Sequence, residues 1–188
     1  MKTCVFLIGT NCSGKTSLAK ALITRLGGAK QATKWLTEGG DSRYCFAGKY
    51  SEESRYGGVD GWNETKPLRG VVERALTTHE VILCEGVKLH NNGANLSNAL
   101  YAAEQRLVCL LYAPAQVLNE RLKSRSGSQV SLAILKDQQA CARSLQKWQK
   151  MGGINVMHLD TSTMTIDECA ETLLAKIKSI AGGKAQRV

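Results

Sequence analysis

Residues 9–16 read Gly9-Thr10-Asn11-Cys12-Ser13-Gly14-Lys15-Thr16, a pair of glycines followed by an ammonium and a hydroxyl. Phosphate oxygens need several N–H donors converging from one side, and glycine lets the backbone curl into such a nest. Lys15 is placed to span the β- and γ-phosphates of a nucleoside triphosphate, and the Thr16 hydroxyl to ligate Mg²⁺. With Ser17 the amides run on into a helix N-terminus, whose partial positive charge adds to the attraction. ATP and Mg²⁺ are the cofactors this chemistry calls for. A chance match in an unrelated loop is the alternative. The context argues against it, because the motif follows an apolar run, Thr3 to Ile8, and opens a helical pattern.

A second chemical position is Glu85 in the string ILCEGV. A carboxylate at the tip of a strand beside a phosphate loop can hold Mg²⁺, directly or through water, or take the proton of an acceptor hydroxyl. Its alternative is to cap a loop. Asp60, in YGGVDGW, and Asp41 each adjoin glycine, so either can serve as general base or simply turn the chain. Asp60 ranks above Asp41, and the base stays open among these three carboxylates. Arg121 and Arg125, in NERLKSRSG, are four apart and can share one helix face. Arginines closing over a transferring phosphoryl group neutralise charge as it develops. Gly127 and its flanking serines would hinge such a lid, over residues 121–131; a solvated helix end is the plainer reading. His79 reads as a surface residue, His90 as a loop residue and His158 as packed within a strand, with no metal-ligand spacing among them.

Between Trp35 and Trp62 lie six of the ten aromatics: Trp35, Tyr44, Phe46, Tyr50, Tyr56 and Trp62. Arg43, Lys49 and Arg55 are interleaved with them. Aromatic faces stack nucleobases and neighbouring cations hold phosphate, so residues 38–66 read as an acceptor-binding insertion. Its contacts would come from Asp41, Arg43, Tyr44, Arg55, Tyr56, Asp60 and Trp62. A small second core over the sheet edge is the alternative.

The elements that must carry these groups follow from periodicity. Buried strands are expected at Thr3–Ile8, Val81–Cys84, Leu107–Tyr112 and Asn155–Leu159, with a weaker one over Ala32–Thr37. Helices are expected over 15–26, 71–78, 96–104, 115–123, 132–150 and 166–180, with a break at Ser124–Ser128. Alternating strands and helices predict an α/β fold: a parallel sheet of about five strands, flanked by helices on both faces, with a mobile lid. Ligands in such sheets bind beyond the carboxyl ends of the strands, where Lys15, Thr16 and Glu85 fall. Residues 1–181 read as one domain and 182–188 as a basic tail.

Composition sets the bounds. The chain has 188 residues, 43% of them hydrophobic, which suits a globular domain and excludes a disordered one. No apolar run approaches the roughly 20 residues that span a bilayer, so no membrane partner and a cytoplasmic location are expected. Seven cysteines, none in a CxxC pair, point to reduced thiols without disulfides or structural zinc. Cys4, Cys84 and Cys109 read as core residues, and Cys12 alone lies in the phosphate loop. The net charge of +9 sits in residues 1–60 and 121–188, while the middle third is close to neutral. Such an excess favours docking on a polyanion, or else serves solubility. Arg143, Lys147 and Lys150 share one face of the expected helix 132–150, as a solvated face or a nucleic-acid contact would.

The phosphate loop, the strand ending in Glu85-Gly86 and the run APAQVLNERLKSR together resemble the small P-loop kinases, nucleotide- and nucleoside-kinase-like. The stretch VMHLDTSTMTIDECAETLL is similar to their closing strand and helix, which implies that the loop around Asp160 to Thr163 approaches adenine. Residues 38–66 do not match the acceptor motifs of adenylate, thymidylate or shikimate kinases. YGGVDGWNET, with ILCEGV and APAQVLNERLKSRSG, most resembles the phage 5-hydroxymethyluracil DNA kinases. That resemblance implies phosphorylation of a modified base in DNA, leading to hypermodification, in a host cytoplasm. A kinase of free nucleosides, nucleoside monophosphates or another small metabolite keeps every ATP-side assignment. A nucleotide-dependent switch is the third reading, disfavoured by the short chain and the apparent lid.

Overall fold

The computed structural model describes residues 1–33, 35–50, 57–62, 67–91 and 94–182. Strand β1 (Thr3–Ile8) is buried on both faces. Its alternate residues go to opposite sides: Cys4, Phe6 and Ile8 enter one core, Val5 and Leu7 the other. Helix α1 (Lys15–Arg25) follows, then short strands β2 (Ala29–Ala32), β3 (Leu36–Gly39) and β4 (Tyr44–Ala47), and helix α2 (Leu68–Thr78). Next come β5 (Val81–Glu85), α3 (Ala94–Tyr101), β6 (Gln105–Tyr112), α4 (Ala115–Ser126), α5 (Leu132–Lys150), β7 (Asn155–Asp160) and α6 (Ile166–Gly182). Single 3₁₀ turns occupy Gly58–Gly61 and Val87–His90.

One sheet joins the strands in the order β2-β3-β4-β5-β1-β6-β7. It has seven strands, against the expected five or so. Strands β4, β5, β1, β6 and β7 pair in parallel, whereas β2 and β3 form an antiparallel edge. The extra strands are four residues each, too short for a period to show. Strand β4 lies inside the expected acceptor-binding insertion, where no strand was expected: Tyr44–Ala47 is fully buried.

Helices cover both faces. Leu68, Val72, Leu100, Cys141 and Trp148 of α2, α3 and α5 pack on one side, with Trp148 edge-on to Phe6 at 6.4 Å between ring centroids. Leu18, Leu22, Leu173 and Ile177 of α1 and α6 pack on the other. Helix α4 continues through Ser124 to Ser126 and ends at Gly127, whose φ of 67° is the left-handed C-cap conformation. The helix break placed at Ser124 is therefore three residues later. Residues 183–188 of the basic tail lie outside the described residues. Among the described residues no helix is long and apolar enough to cross a membrane.

The chain leaves β1 toward α1 on one side of the sheet and returns through β5, then crosses β1 to reach β6. The crevice at that reversal lies beyond the carboxyl ends of β1, β5 and β6, and it positions every group described next.

Candidate active site

The loop between β1 and α1 takes a backbone path that favours glycine. Gly14 has φ of 96°, and a Cβ at Gly9 would come within 2.6 Å of the Leu111 carbonyl. Cys12 holds a left-handed φ of 62° without being glycine, and it is half-buried. Lys15, 6% exposed, donates from Nζ to the Thr10 carbonyl at 3.0 Å. The Thr10 hydroxyl in turn donates to the Ile134 carbonyl in the first turn of α5 at 3.1 Å. A buried ammonium is therefore aimed along a loop whose shape is fixed from two sides, and such a charge asks for an anion.

Glu85 is a carboxylate that the Lys15 charge acts on. It ends β5, is buried, and its Oε1 accepts a hydrogen bond from Thr16 Oγ1 at 2.9 Å. Burial pushes its carboxyl above the ordinary range; Lys15 and the Thr16 bond oppose the rise, and Asp60 adds to it. Asp60 comes in on the Gly58–Gly61 turn, where both carboxylate oxygens accept the Val87 amide, at 2.8 and 2.9 Å. This turn lies directly on Glu85. Gly58 has φ of 64°, and a Cβ there would overlap the Glu85 carbonyl and side chain.

The oxygens of Thr16 and Glu85 also fit a divalent cation. Cis ligands of an octahedral Mg²⁺, each about 2.0–2.1 Å from the metal, sit about 2.8–3.0 Å apart, a range that includes the 2.9 Å found here. The rest of such a shell would come from phosphate and water. Among the described residues no group of three or more His, Cys, Asp or Glu is arranged for a metal.

Above these groups opens a cavity of about 550 Å³. Asn11 to Ser17 supply its floor, Gly57 and Asp60 one end, and Met164, Thr165 and Ile166 the other. Among the described lining residues Asp60 is the one carboxylate; Glu85 stands behind Thr16. Arg121 and Arg125 both line it, on successive turns of α4. The Arg121 guanidinium donates to the Cys12 carbonyl at 3.3 Å and to Oγ1 and the carbonyl of Thr161. It thus clamps the phosphate loop to the β7–α6 connection. Met164 and Ile166 carry no catalytic chemistry and were missed in the sequence. Their signal is an apolar pair on either side of Thr165, the first residue of the Thr165–Glu168 capping box that opens α6.

The acceptor-side expectations fare differently. Asp41, Arg43 and Tyr44 lie at the amino end of β4, where Tyr44 pairs with Val81, while the phosphate loop adjoins the carboxyl ends. Asp41 and Arg43 bond each other at 2.8 Å, which holds the Asp41 carboxyl below its usual range. All three are removed from the site by the parallel run of β4 beside β5. Trp62, 4% exposed, packs edge-on to Trp35 in the core, and Tyr44, Phe46 and Tyr50 are buried too. Tyr44, Phe46, Tyr50 and Trp62 are core residues with no open stacking face, and Trp35 is half-buried against that core. Arg55 and Tyr56 lie outside the described residues. His79 is buried, bonding Thr78 and the Ala75 carbonyl, and His158 is exposed beside Tyr112, the reverse of the surface and packed placements expected.

Neither a protein-family model nor a curated protein sequence matches the chain. Solved structures do. A sugar kinase from Janibacter sp. HTCC2649, unliganded, shares 14% identity at TM-score 0.58 over 97% of this chain and 98% of that one. YorR from Bacillus subtilis, in complex with phosphorylated GDP, shares 15% at 0.53 over 96% and 99%. A gluconokinase from Sinorhizobium meliloti 1021 shares 14% at 0.53 over 96% and 94%. The chain thus has the fold found in small P-loop kinases.

Proposed function

We propose that the chain is an ATP- and Mg²⁺-dependent phosphotransferase whose acceptor is an alcohol hydroxyl of a small metabolite of the sugar or nucleoside type. The observation that carries this reading is the convergence at the carboxyl ends of β1 and β5 of Lys15, Thr16 and Asp60, on the floor and end wall of one cavity, with Glu85 bonded behind Thr16. The kinase fold, shared with a sugar kinase and a gluconokinase, supports the same class.

The triphosphate lies in the Gly9–Thr16 loop, with Lys15 drawing charge from the β- and γ-phosphates. Thr16 and Glu85 hold the cation, which supplies charge neutralisation at the phosphates. The base end of the nucleotide takes Met164 and Ile166 as apolar contacts and Arg121 as a fixed cation above the loop. Asp60, the carboxylate facing the cavity, receives the acceptor's proton as its oxygen bonds to the γ-phosphorus and the bond to ADP breaks. Arg125, one turn beyond Arg121, faces the same space and stabilises the transferring group. Residues 121–131 act as the lid.

A hydroxymethylated base in DNA drew its support from the motif resemblance, the aromatic segment and the basic charge. The described aromatics of that segment are buried, apart from the half-buried Trp35, so the resemblance and the charge remain for it. The test is transfer of label from γ-labelled ATP across sugars, free nucleosides, nucleoside monophosphates, and DNA with and without hydroxymethyluracil. Label on a sugar or nucleoside is expected. Label only on modified DNA overturns the small-acceptor reading, and phosphate release without a labelled acceptor overturns phosphotransfer.

A further inference from the structure

We propose that the cleft between the Val87–His90 turn and α5 is a second phosphate-binding site, separate from the loop at Gly9–Thr16. It encloses about 210 Å³ and is lined by His90, Asn91, Ala140, Arg143, Ser144 and Lys147. Two bonds build its walls. Ser144, 5% exposed, donates its hydroxyl to the His90 carbonyl and so fastens the turn to the helix. His90 Nδ1 bonds the Val87 carbonyl. This assigns the ring hydrogen to Nδ1, so in the neutral ring Nε2 is an acceptor, and the donors for an anion come from Arg143 and Lys147.

The cations are set apart from the catalytic loop by helix geometry. Cys141 of α5 lies within bonding reach of the Gly9 amide, which fixes the face turned toward the phosphate loop. At about 100° per residue, Arg143 is about 200° and Lys147 about 240° round the helix from Cys141. Both therefore face away from that loop, four residues apart on one side. Among the described residues neither pairs with a carboxylate, and no carboxylate lines the cleft. A guanidinium fork and an ammonium around a recess this small suit one phosphoryl group and leave no room for a nucleotide. The group would be carried by free phosphate or a phosphomonoester, or by a nucleic-acid backbone. The positive excess in residues 121–188 favours either.

The proposal stands apart from the phosphotransfer reading, and its test separates the two. The ¹⁵N-labelled full chain, with Mg²⁺ and a non-hydrolysable ATP analogue present, is titrated with inorganic phosphate in one arm and a short oligothymidylate in the other. Saturable amide shifts are expected at His90, Asn91 and residues 140–147. A double variant, Arg143→Gln with Lys147→Gln, should weaken them about tenfold or more, while its unchanged affinity for the analogue reports an intact fold. Saturation by phosphate assigns the site to free or monoester phosphate; saturation by the oligonucleotide alone assigns it to a backbone. Absence of cleft shifts in both arms, or equal affinity in the double variant, overturns the proposal. An analogue that fails to bind would count against the catalytic loop and leave the cleft titration readable.

Discussion

Thr16 Oγ1 donates a hydrogen bond to Glu85 Oε1 at 2.9 Å, joining the first turn of α1 to the last residue of β5. The bond lies at the base of the cavity, where it prearranges two oxygens at the spacing of neighbouring Mg²⁺ ligands. It also sets a cost, since the carboxylate is buried with one hydroxyl and one nearby ammonium for company.

That cost has a pH signature. Burial raises the folded-state pKa of Glu85 above its unfolded value. The contribution to stability is then fully present below the ordinary carboxylate pKa and is lost as pH rises through the raised one. Glu85→Gln removes that loss. In the absence of ligand the variant should melt higher than wild type near about pH 8, with the gap closing near about pH 4. Phosphotransfer should fall by about 10²-fold or more. Thermal melts across pH and a rate assay check both halves.

Asp60 and Glu85 are assigned different jobs, and their amides should separate them. Asp60→Asn should lower kcat by about 10²- to 10⁴-fold with nucleotide affinity little changed. Glu85→Gln should instead raise the Mg²⁺ concentration needed for half-maximal rate. Steady-state kinetics at varied Mg²⁺ distinguish the two; identical profiles would contradict the division.

Gly58 is the position where Glu85 is most exposed to a backbone change. Alanine there must hold a left-handed φ and push a methyl group into the Glu85 side chain. The two effects together should cost about 2–4 kcal/mol, read by denaturant unfolding, and activity should fall with Glu85 displaced. A variant with wild-type stability would contradict the packing described.

Arg121→Ala removes the clamp between Cys12 and Thr161. The expected result is a rise of about tenfold in KM for ATP, with a smaller change in kcat. Lysine should not rescue it, because one ammonium cannot reach three acceptors in a fork.

The parts of the site legible in the sequence are those where chemistry is contiguous or tied to a strand end. Gly9 to Thr16 is one uninterrupted string, and Glu85 follows an apolar run and precedes glycine. Asp60 ranks only slightly above Asp41 in the sequence, and the separation is decided by β4, which sets them at opposite ends of the strands. Composition announces aromatics without saying which way they face, so Tyr44 and Trp62 read as a binding surface although the fold spends them on its core. Strands β2 and β3 were expected only as one weak strand over Ala32–Thr37, which the fold divides between them, and β4 escaped, for a related reason. Four-residue strands among glycines carry no measurable alternation, and their pairing comes from the sheet they join.

The account depends most on Lys15 and the amides around it. Calorimetric titration of Mg²⁺·ATP into wild type and Lys15→Ala tests it without assuming an acceptor. Wild type should bind in the micromolar range, about −8 kcal/mol, and the variant about 100-fold more weakly or beyond detection. No binding by wild type, or equal binding by both, would contradict it.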